Sequence, residues 1–505
     1  MHDIVFVGSG PSVLAGAVEV LKRNPKTKLL ILEQGASLAE RVKKKIELQK
    51  AGKINEFDVM IGAGGAGTFS DGKFHFTQAL SHYYTKSLLP EEEKKYYDLY
   101  LNLAEKYCLE IGNLNVDYTP KDPKSLIPII GLFKKHEVNL FLRRARHVGT
   151  EELPKFVNGF INEITARNGI FRFNSEVVDL IVEAGICKGV VLKSGESISA
   201  KKVVLGVGRS GATRLIPKLI EKYNIPNTPR DLLLGGRVAF PKEIGMDYAD
   251  LMYEFIFSVK TSSGHYLRSF CPCMKGGSIA VENYYDEKLG RYSCVNGASS
   301  KNYKTKVGNF AFLRITPPKD IEDDVFEYSK NLAANTFRLG NNKPIVQKIS
   351  DLVNGEKTTT LEGLPQEIID NLNFDYSLGS VEEAYGKEVI EDFKEGFLKL
   401  NHKSIMKGIV EKGIIVWPEI KFGRNLIIET DKTEILNIKN LYAIGDGAGN
   451  SGNIVGAMIA GLICAHKITS TNIKDLYRKK IEKVLVIKNY ELDIDNLDES
   501  FEILN

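Results

Sequence analysis

The sequence has little of what marks a secreted, membrane-spanning or metal-centred protein. It holds six cysteines in 505 residues, too few and too scattered for a disulfide framework, so reduced thiols in the cytoplasm are the expectation. Only Cys271 and Cys273 lie close together, and a C-x-C pair without a second pair or neighbouring histidines is weak evidence for zinc. The eight histidines are dispersed, and no metal site is expected. No apolar run reaches the roughly 18–20 residues that span a bilayer. The opening "MHDIVFVG" lacks both the cationic start and the length of a signal core. An excess of one charge is also missing: 68 Lys and Arg against 64 Asp and Glu leave +4, which argues against nucleic acid as a partner. There is no solenoid-like repeat and no low-complexity tract.

What remains is an ordinary globular composition, 43% hydrophobic and 26% charged, in a chain long enough for two or more domains. The first sixty residues alternate strand and helix: "DIVFVG", then "PSVLAGAVEVLKR", then "KLLILE". Residues 91–150 read as a helical insertion, opened by the amphipathic "EEEKKYYDLYLNLAEKYCLEI". A helix at "ELPKFVNGFINEITARNG" and short β runs with glycine turns follow, suggesting a meander. From 230 to 415 strand-like runs such as "GGRVAFP", "HYLRSFCPC" and "NFAFLRIT" are joined by helices near 323–340 and 380–410, suggesting a second, α+β domain. Strand, glycine turn and helix return over 416–470, and 471–505 reads as a peripheral helix and tail.

Three glycine clusters compete as nucleotide loop. A dinucleotide fingerprint needs a strand, a tight glycine turn, a helix N-terminus facing the pyrophosphate and an acid ending the next strand. "IVFVGSGPSVLAGA" supplies all four, with Gly8 and Gly10 in the turn and Glu33 positioned for the ribose hydroxyls, although Val13 replaces the third glycine. A carboxylate at 33 also repels a 2′-phosphate. The neighbours Pro11, Ser12, Gln34 and Arg41 complete the candidate contacts of an adenine dinucleotide. "GAGGAG" at 62–67 matches the spacing but runs into "TFSDGKF", whose turn chemistry opposes a helix. Its Gly64, Gly65, Ala66 and Gly67, with Thr68, Ser70, Asp71 and Gly72, read as a backbone cradle for a flat ring or a diphosphate. "GVGRSG" at 206–211, with Gly208, follows a strand but has no acid after the next one. It reads as a strand returning to the first sheet beside the bound nucleotide.

Together with "YLRSFCPC", "VNGASS" followed by "NFAFL", and "GDGAGNSGNIVGAM", the block "GAGGAGTFSDGK" resembles a family of uncharacterised FAD-dependent dehydrogenases. The wider group is that of single-Rossmann flavoproteins, which includes the geranylgeranyl-reductase-like and fumarate-reductase-like enzymes. The resemblance covers nearly the whole chain except 90–150 and the tail. It implies an α/β fold: an FAD-binding Rossmann-like domain, doubly wound with a mainly parallel sheet plus a β-meander, assembled from 1–90, 151–229 and 416–470, with a second α+β substrate domain. It also implies that Asp446, flanked by Gly445, meets the ribityl and pyrophosphate region. The helix after Gly452, Asn453 and Ile454 then points its N-terminus at the flavin, where partial positive charge stabilises the reduced ring. Val177 is implied as a backbone contact to adenine.

With FAD supplying the redox chemistry, a small organic substrate is expected between the flavin and the second domain. The expected reaction is hydride transfer to or from a C–C, C–N or C–O bond. Lys73 and His75 are candidate proton donors, and Arg268 a carboxylate anchor. Cys271 and Cys273 are candidate reactive thiols, and Tyr266, Asn296 and Asn309 weaker candidates. NAD(P)H has no dedicated site and enters only as a transient donor, a protein donor being the alternative. A flavin monooxygenase using NAD(P)H and oxygen, and an FAD-bound RNA-modification or assembly protein carrying basic runs such as "RVKKK", stay open as other readings. Oligomeric state is not legible.

Overall fold

The computed structural model describes residues 1–51, 57–70, 72–77, 82–120, 124–141, 144–252, 255–286, 288–298, 305–421 and 426–477. The chain opens with β1 (His2–Val7), α1 (Pro11–Arg23), β2 (Leu29–Leu32) and α2 (Leu38–Lys50), then a 3-10 turn over Gly65–Phe69 and β3 (Lys73–His75). It continues through α3 (Tyr97–Glu110), α4 (Ile127–Lys135), β4 (Val138–Phe141), β5 (Ala145–His147) and α5 (Leu153–Ala166). Next come β6 (Ile170–Arg172), β7 (Val177–Glu183), β8 (Ile186–Leu192), β9 (Ser197–Leu205), α6 (Gly208–Ala212) and α7 (Leu215–Tyr223). The second domain follows with β10 (Leu232–Pro241), β11 (Ile256–Lys260), β12 (Tyr266–Cys273), β13 (Ser278–Asp286), β14 (Gly290–Ala298) and β15 (Val307–Thr316). It closes with α8 (Val325–Leu339), β16 (Ile345–Lys348), α9 (Lys387–Leu400) and β17 (Ile414–Ile420), before β18 (Leu441–Ala443) and α10 (Ile454–Thr469) end the first domain.

In the first sheet β18, β9, β1, β2 and β6 lie side by side and parallel. Strand alternation sorts its side chains to two faces. Ile4, Phe6, Leu29 and Ile31 join a core with α1, α3, α5 and α10. Val5, Val7, Leu30 and Leu32 join a second core with the meander and Ile216 and Leu219 of α7. A parallel sheet covered on both faces needs continuous apolar strands, which "DIVFV" and "LLIL" provide. β9 does double duty: Ser197–Ser199 pair antiparallel with β8 in the meander, and Ala200–Leu205 run parallel beside β1. α1 and α10 cross backbone to backbone. A Cβ on Gly461 would lie 1.9 Å from the Ser12 carbonyl oxygen, and one on Gly16 2.9 Å from that of Gly461.

The second sheet runs β16, β17, β10, β15, β12, β11, β4, its neighbours antiparallel. Its core holds Trp417, Phe312, Phe393 and Phe397. Two expected boundaries move. Residues 91–150 are not a helical insertion on the first domain. α3 packs in the first core, whereas Leu126, Ile130 and Phe133 around α4 pack in the second. The half-buried alternation of "VNLF" lets β4 cover the otherwise open edge of β11. The limit at 415 cuts through β17, which belongs wholly to the second sheet. Of the expected tail, a short helix at Ile473–Tyr477 is described; residues 478–505 lie outside the described residues. Among the described residues no helix is long and apolar enough to cross a membrane, and no His, Cys, Asp and Glu cluster has metal-ligating geometry.

Candidate functional site

A cleft of about 900 Å³ runs between the C-terminal edge of the first sheet and the second domain. β1 delivers the chain into it through Gly8, whose φ of +97° and closeness to Gly206 (2.4 Å from a Cβ to its carbonyl oxygen) exclude a side chain. Gly10 is the N-cap of α1 and offers no side-chain cap. A Cβ there would meet nothing within 4 Å, so the first turn of α1 opens onto free space. Helix N-termini in this state present backbone N–H groups and a partial positive charge. Val13 also has its explanation. It is fully buried, and a Cβ on Gly206 would lie 2.3 Å from its Cγ2. The glycine missing from the helix stands on the opposing loop after β9.

Glu33, at the end of β2, is buried and held by neighbours of the first two glycine clusters. Its Oε2 accepts from Ser9 Oγ at 2.6 Å, and its Oε1 from the N–H groups of Gly35 (2.9 Å) and Gly62 (3.1 Å). Gln34, Ser175, Glu176, Val177, Val178 and Lys218 line the cleft beside it. Gly65, Ala66, Gly67 and Ser70 line it opposite Gly10, Pro11 and Ser12. Gly64, Thr68 and Gly72 do not; they lie behind the wall, and Asp71 lies outside the described residues.

Arg41 is a correction as well. Expected at the cofactor, it is buried beneath the glycine block and is not part of the cleft lining. It donates to the carbonyls of Ala63 (2.6 Å), Gly65 (3.0 Å) and Val59 (3.0 Å) and to Thr68 Oγ1 (3.3 Å). Burial lowers its pKa to about 10 despite the nearby Glu33 and Asp58. It supplies donors to a turn too rich in glycine to have side chains of its own.

β18 brings Asp446 to the other end of the same cleft as Glu33. Its Oδ2 accepts from Arg209 Nε at 2.9 Å and its Oδ1 from Ser451 Oγ. Gly445 stays behind, its N–H bound to Asn450 Oδ1 at 2.8 Å. The turn is clamped from outside: Thr85 donates to the Asn450 carbonyl at 2.9 Å, and Arg230, stacked on Tyr84, donates to that of Gly449. Gly452, Asn453 and Ile454 line the cleft at the N-terminus of α10, where the Asn453 side chain caps the Gly456 N–H at 2.7 Å. Gly206, Gly208, Arg209 and Ser210 form the floor between the two ends, so the third glycine cluster belongs to this cleft. Sequence reasoning missed Ser9, Arg209, Arg230, Asn450 and Ser451. Ser9, Arg209, Asn450 and Ser451 sit within motifs already singled out; Arg230 carries no local signal.

The facing wall comes from β3 and the second domain. Alternation sends Lys73 and His75 into the cleft and Phe74, between them, into the core. Arg268 lines the cleft with its guanidinium 4.2 Å from the Phe270 ring centroid. Cys271, Cys273, Glu282, Asn296 and Gly297 complete the wall, Asn296 donating to Glu282 Oε1 at 3.0 Å. Tyr266 and Asn309 do not reach it. Tyr266 is exposed at the far end of β12. Asn309 is fully buried in β15 with neither side-chain amide atom hydrogen-bonded.

These residues fit an elongated dinucleotide: open space above Gly10 and Gly208, two helix N-termini, a carboxylate at each end, and a volume within the usual range for ligand sites. The chain is 24% identical to an uncharacterised protein of Clostridium beijerinckii, over 92% of this chain and 80% of that protein. Among solved structures, an E. coli quinol fumarate reductase FrdA variant matches at a TM-score of 0.40 and 13% identity, covering 93% of this chain and 70% of that one. Glycine oxidase from Bacillus cereus matches at 0.35 and 12%, covering 94% and 96%. Residues 246–419 match the family described as FAD-dependent protein, C-terminal domain-like. The residues that the second domain contributes to the facing wall, from Arg268 to Gly297, all lie within this match.

Proposed function

We propose that the chain is an FAD-dependent oxidoreductase that exchanges a hydride with a C–C, C–N or C–O bond of a small organic substrate. The observation carrying this reading is that Glu33 and Asp446, more than four hundred residues apart in sequence, border one cleft on which α1 and α10 both open. Glu33 binds the adenosine ribose, and the N–H groups of the first turn of α1 bind the pyrophosphate. Asp446 accepts from the ribityl chain. The N-terminus of α10 stabilises negative charge on the ring. Bound FAD supplies the two-electron chemistry.

The second domain receives the substrate. Arg268, held flat on Phe270, orients an acidic or carbonyl group. Lys73 and His75, on one face of β3, carry the proton that accompanies hydride movement. Because β9 returns to the first sheet, "GVGRSG" builds no second nucleotide unit, and electrons come from the substrate or from a donor that visits the cleft. The test is direct. Purified protein shows bound-flavin absorbance, or acquires it on titration with FAD, and a metabolite panel under anaerobic conditions finds the compound that bleaches it. Protein that takes up no flavin after FAD is added refutes the reading.

A further inference from the structure

One pair of groups in the cleft is left unused by that reaction. On β12, Phe270 pairs with Ala311 and Cys273 with Asn309, so β12 has one residue more than β15 over this stretch. Such a bulge turns a side chain out of the regular alternation of the strand. Cys271 stands in the bulge at φ +44°, a conformation held at a cost by any residue with a Cβ. In consequence Cys271 is exposed and Cys273 half-buried, both lining the cleft. The Cys273 sulfur lies 3.7 Å from the Cys271 carbonyl oxygen. The other four cysteines, Cys108, Cys187, Cys294 and Cys464, are buried, and burial pushes their thiols up and keeps them inert.

One guanidinium backs the pair. Arg237, fully buried, reaches the carbonyl oxygens of Phe270 and Cys271 at 3.5 Å, and Gly297 makes room for it: a Cβ there would lie 1.3 Å from its Nη2. Arg209, ion-paired with Asp446 at 2.9 Å, lines the same cleft.

We propose that Cys271 and Cys273 form a second two-electron centre, a dithiol that closes to a disulfide beside the flavin site. Both S–H bonds break and one S–S bond forms. Two electrons and two protons leave, and FAD takes them up when bound; reduced flavin reopens the bond by the reverse transfer. The inference rests on the flavin reading for this acceptor alone. Cys271, the more exposed sulfur, is the one that meets an external thiol or disulfide.

The test uses the full chain, reduced and stripped of flavin. It is treated without air with diamide, an azo oxidant that takes up two electrons and two protons, then unfolded, alkylated and digested with trypsin. Cleavage after Arg268 and Lys275 leaves both cysteines on one peptide. That peptide should be lighter by two hydrogen atoms and carry no alkyl group, while the other four cysteines are alkylated. Cys273→Ser should instead leave Cys271 forming a mixed disulfide with added oxidised glutathione. Two alkyl groups on the peptide after diamide would overturn the proposal. In reduced, FAD-loaded protein kept anaerobic and without diamide, FAD is the sole acceptor, so closure should lower flavin absorbance, and Cys271→Ser should not lower it. Closure without that change overturns the transfer of electrons to flavin. Failure to bind FAD overturns the flavin reading and leaves the diamide result to decide on the dithiol.

Discussion

Replacing Gly461 by alanine tests whether the crossing of α1 and α10 builds the cofactor site. The added Cβ would stand 1.9 Å from the Ser12 carbonyl oxygen and 3.0 Å from the Gly16 nitrogen, both backbone atoms that cannot rotate away. An ordinary C···O contact is about 3.3 Å or more, so α10 must withdraw by roughly 1.4 Å. Helix propensity alone favours alanine by about 1 kcal/mol. Overpacking costs about 1–3 kcal/mol, and a clash against fixed backbone belongs at or above the top of that range, which leaves a net loss of about 2 kcal/mol. Gly16→Ala is the internal control. Its nearest contact, 2.9 Å to the Gly461 carbonyl oxygen, asks for a much smaller shift, and the propensity gain nearly cancels it. Urea unfolding followed by circular dichroism should rank the variants wild type ≈ Gly16→Ala > Gly461→Ala. FAD titration should follow the same order, about tenfold in Kd for each 1.4 kcal/mol of distortion that reaches the helix N-termini. A Gly461→Ala protein as stable as wild type, with unchanged FAD affinity, would refute the argument.

Four further outcomes are expected. Asp446→Asn keeps the shape but removes the charge that faces Arg209, and FAD affinity measured by fluorescence titration should fall by about 1.5–3 kcal/mol, the value of a hydrogen bond to an ionised group. Arg41→Ala leaves the carbonyls of Ala63, Gly65 and Val59 without their donor; FAD binding and thermal stability should drop together, although Arg41 lines none of the cleft. Gly297→Ala drives Arg237 from its place 3.7 Å from Glu419 and should cost about 3 kcal/mol in urea unfolding, as breaking a buried ion pair does. Glu19 is fully buried; burial raises its pKa, but His466, Tyr107 and Arg23 outweigh that and hold it at about 2, below the ordinary 4.5. A depressed carboxylate contributes stability above its unfolded pKa and loses it as pH falls towards the folded one. Stability should therefore decline between about pH 5 and 2, and a Glu19→Gln variant measured over this window should lack most of that slope.

Much of the Glu33 end of the cleft was legible in the sequence because its parts are local. A strand, a glycine turn and a helix occupy residues 2–23, and Glu33 follows at the end of the next strand. The departure at Val13 was readable as a departure, but its remedy at Gly206 was not, since only folding brings β9 against β1. The same limit hid Arg209 as the partner of Asp446 and Arg230 as the outer clamp on Gly449, contacts that span more than two hundred residues. Arg41, expected among the dinucleotide contacts, was misplaced for the opposite reason: a glycine turn without side chains needs donors from elsewhere, and that need is not visible in the local sequence. β4 escaped notice because four residues of moderate alternation become a strand only when a sheet edge is there to receive them.

That edge strand has a mechanical consequence. Residues 124–141 leave the first domain, complete the second sheet and return at β5, while the chain also crosses before β10 and after β17. Four covalent crossings between the two halves oppose a simple swing of one away from the other. A ligand should then reach the cleft through small movements of its lining, with the two halves staying in register.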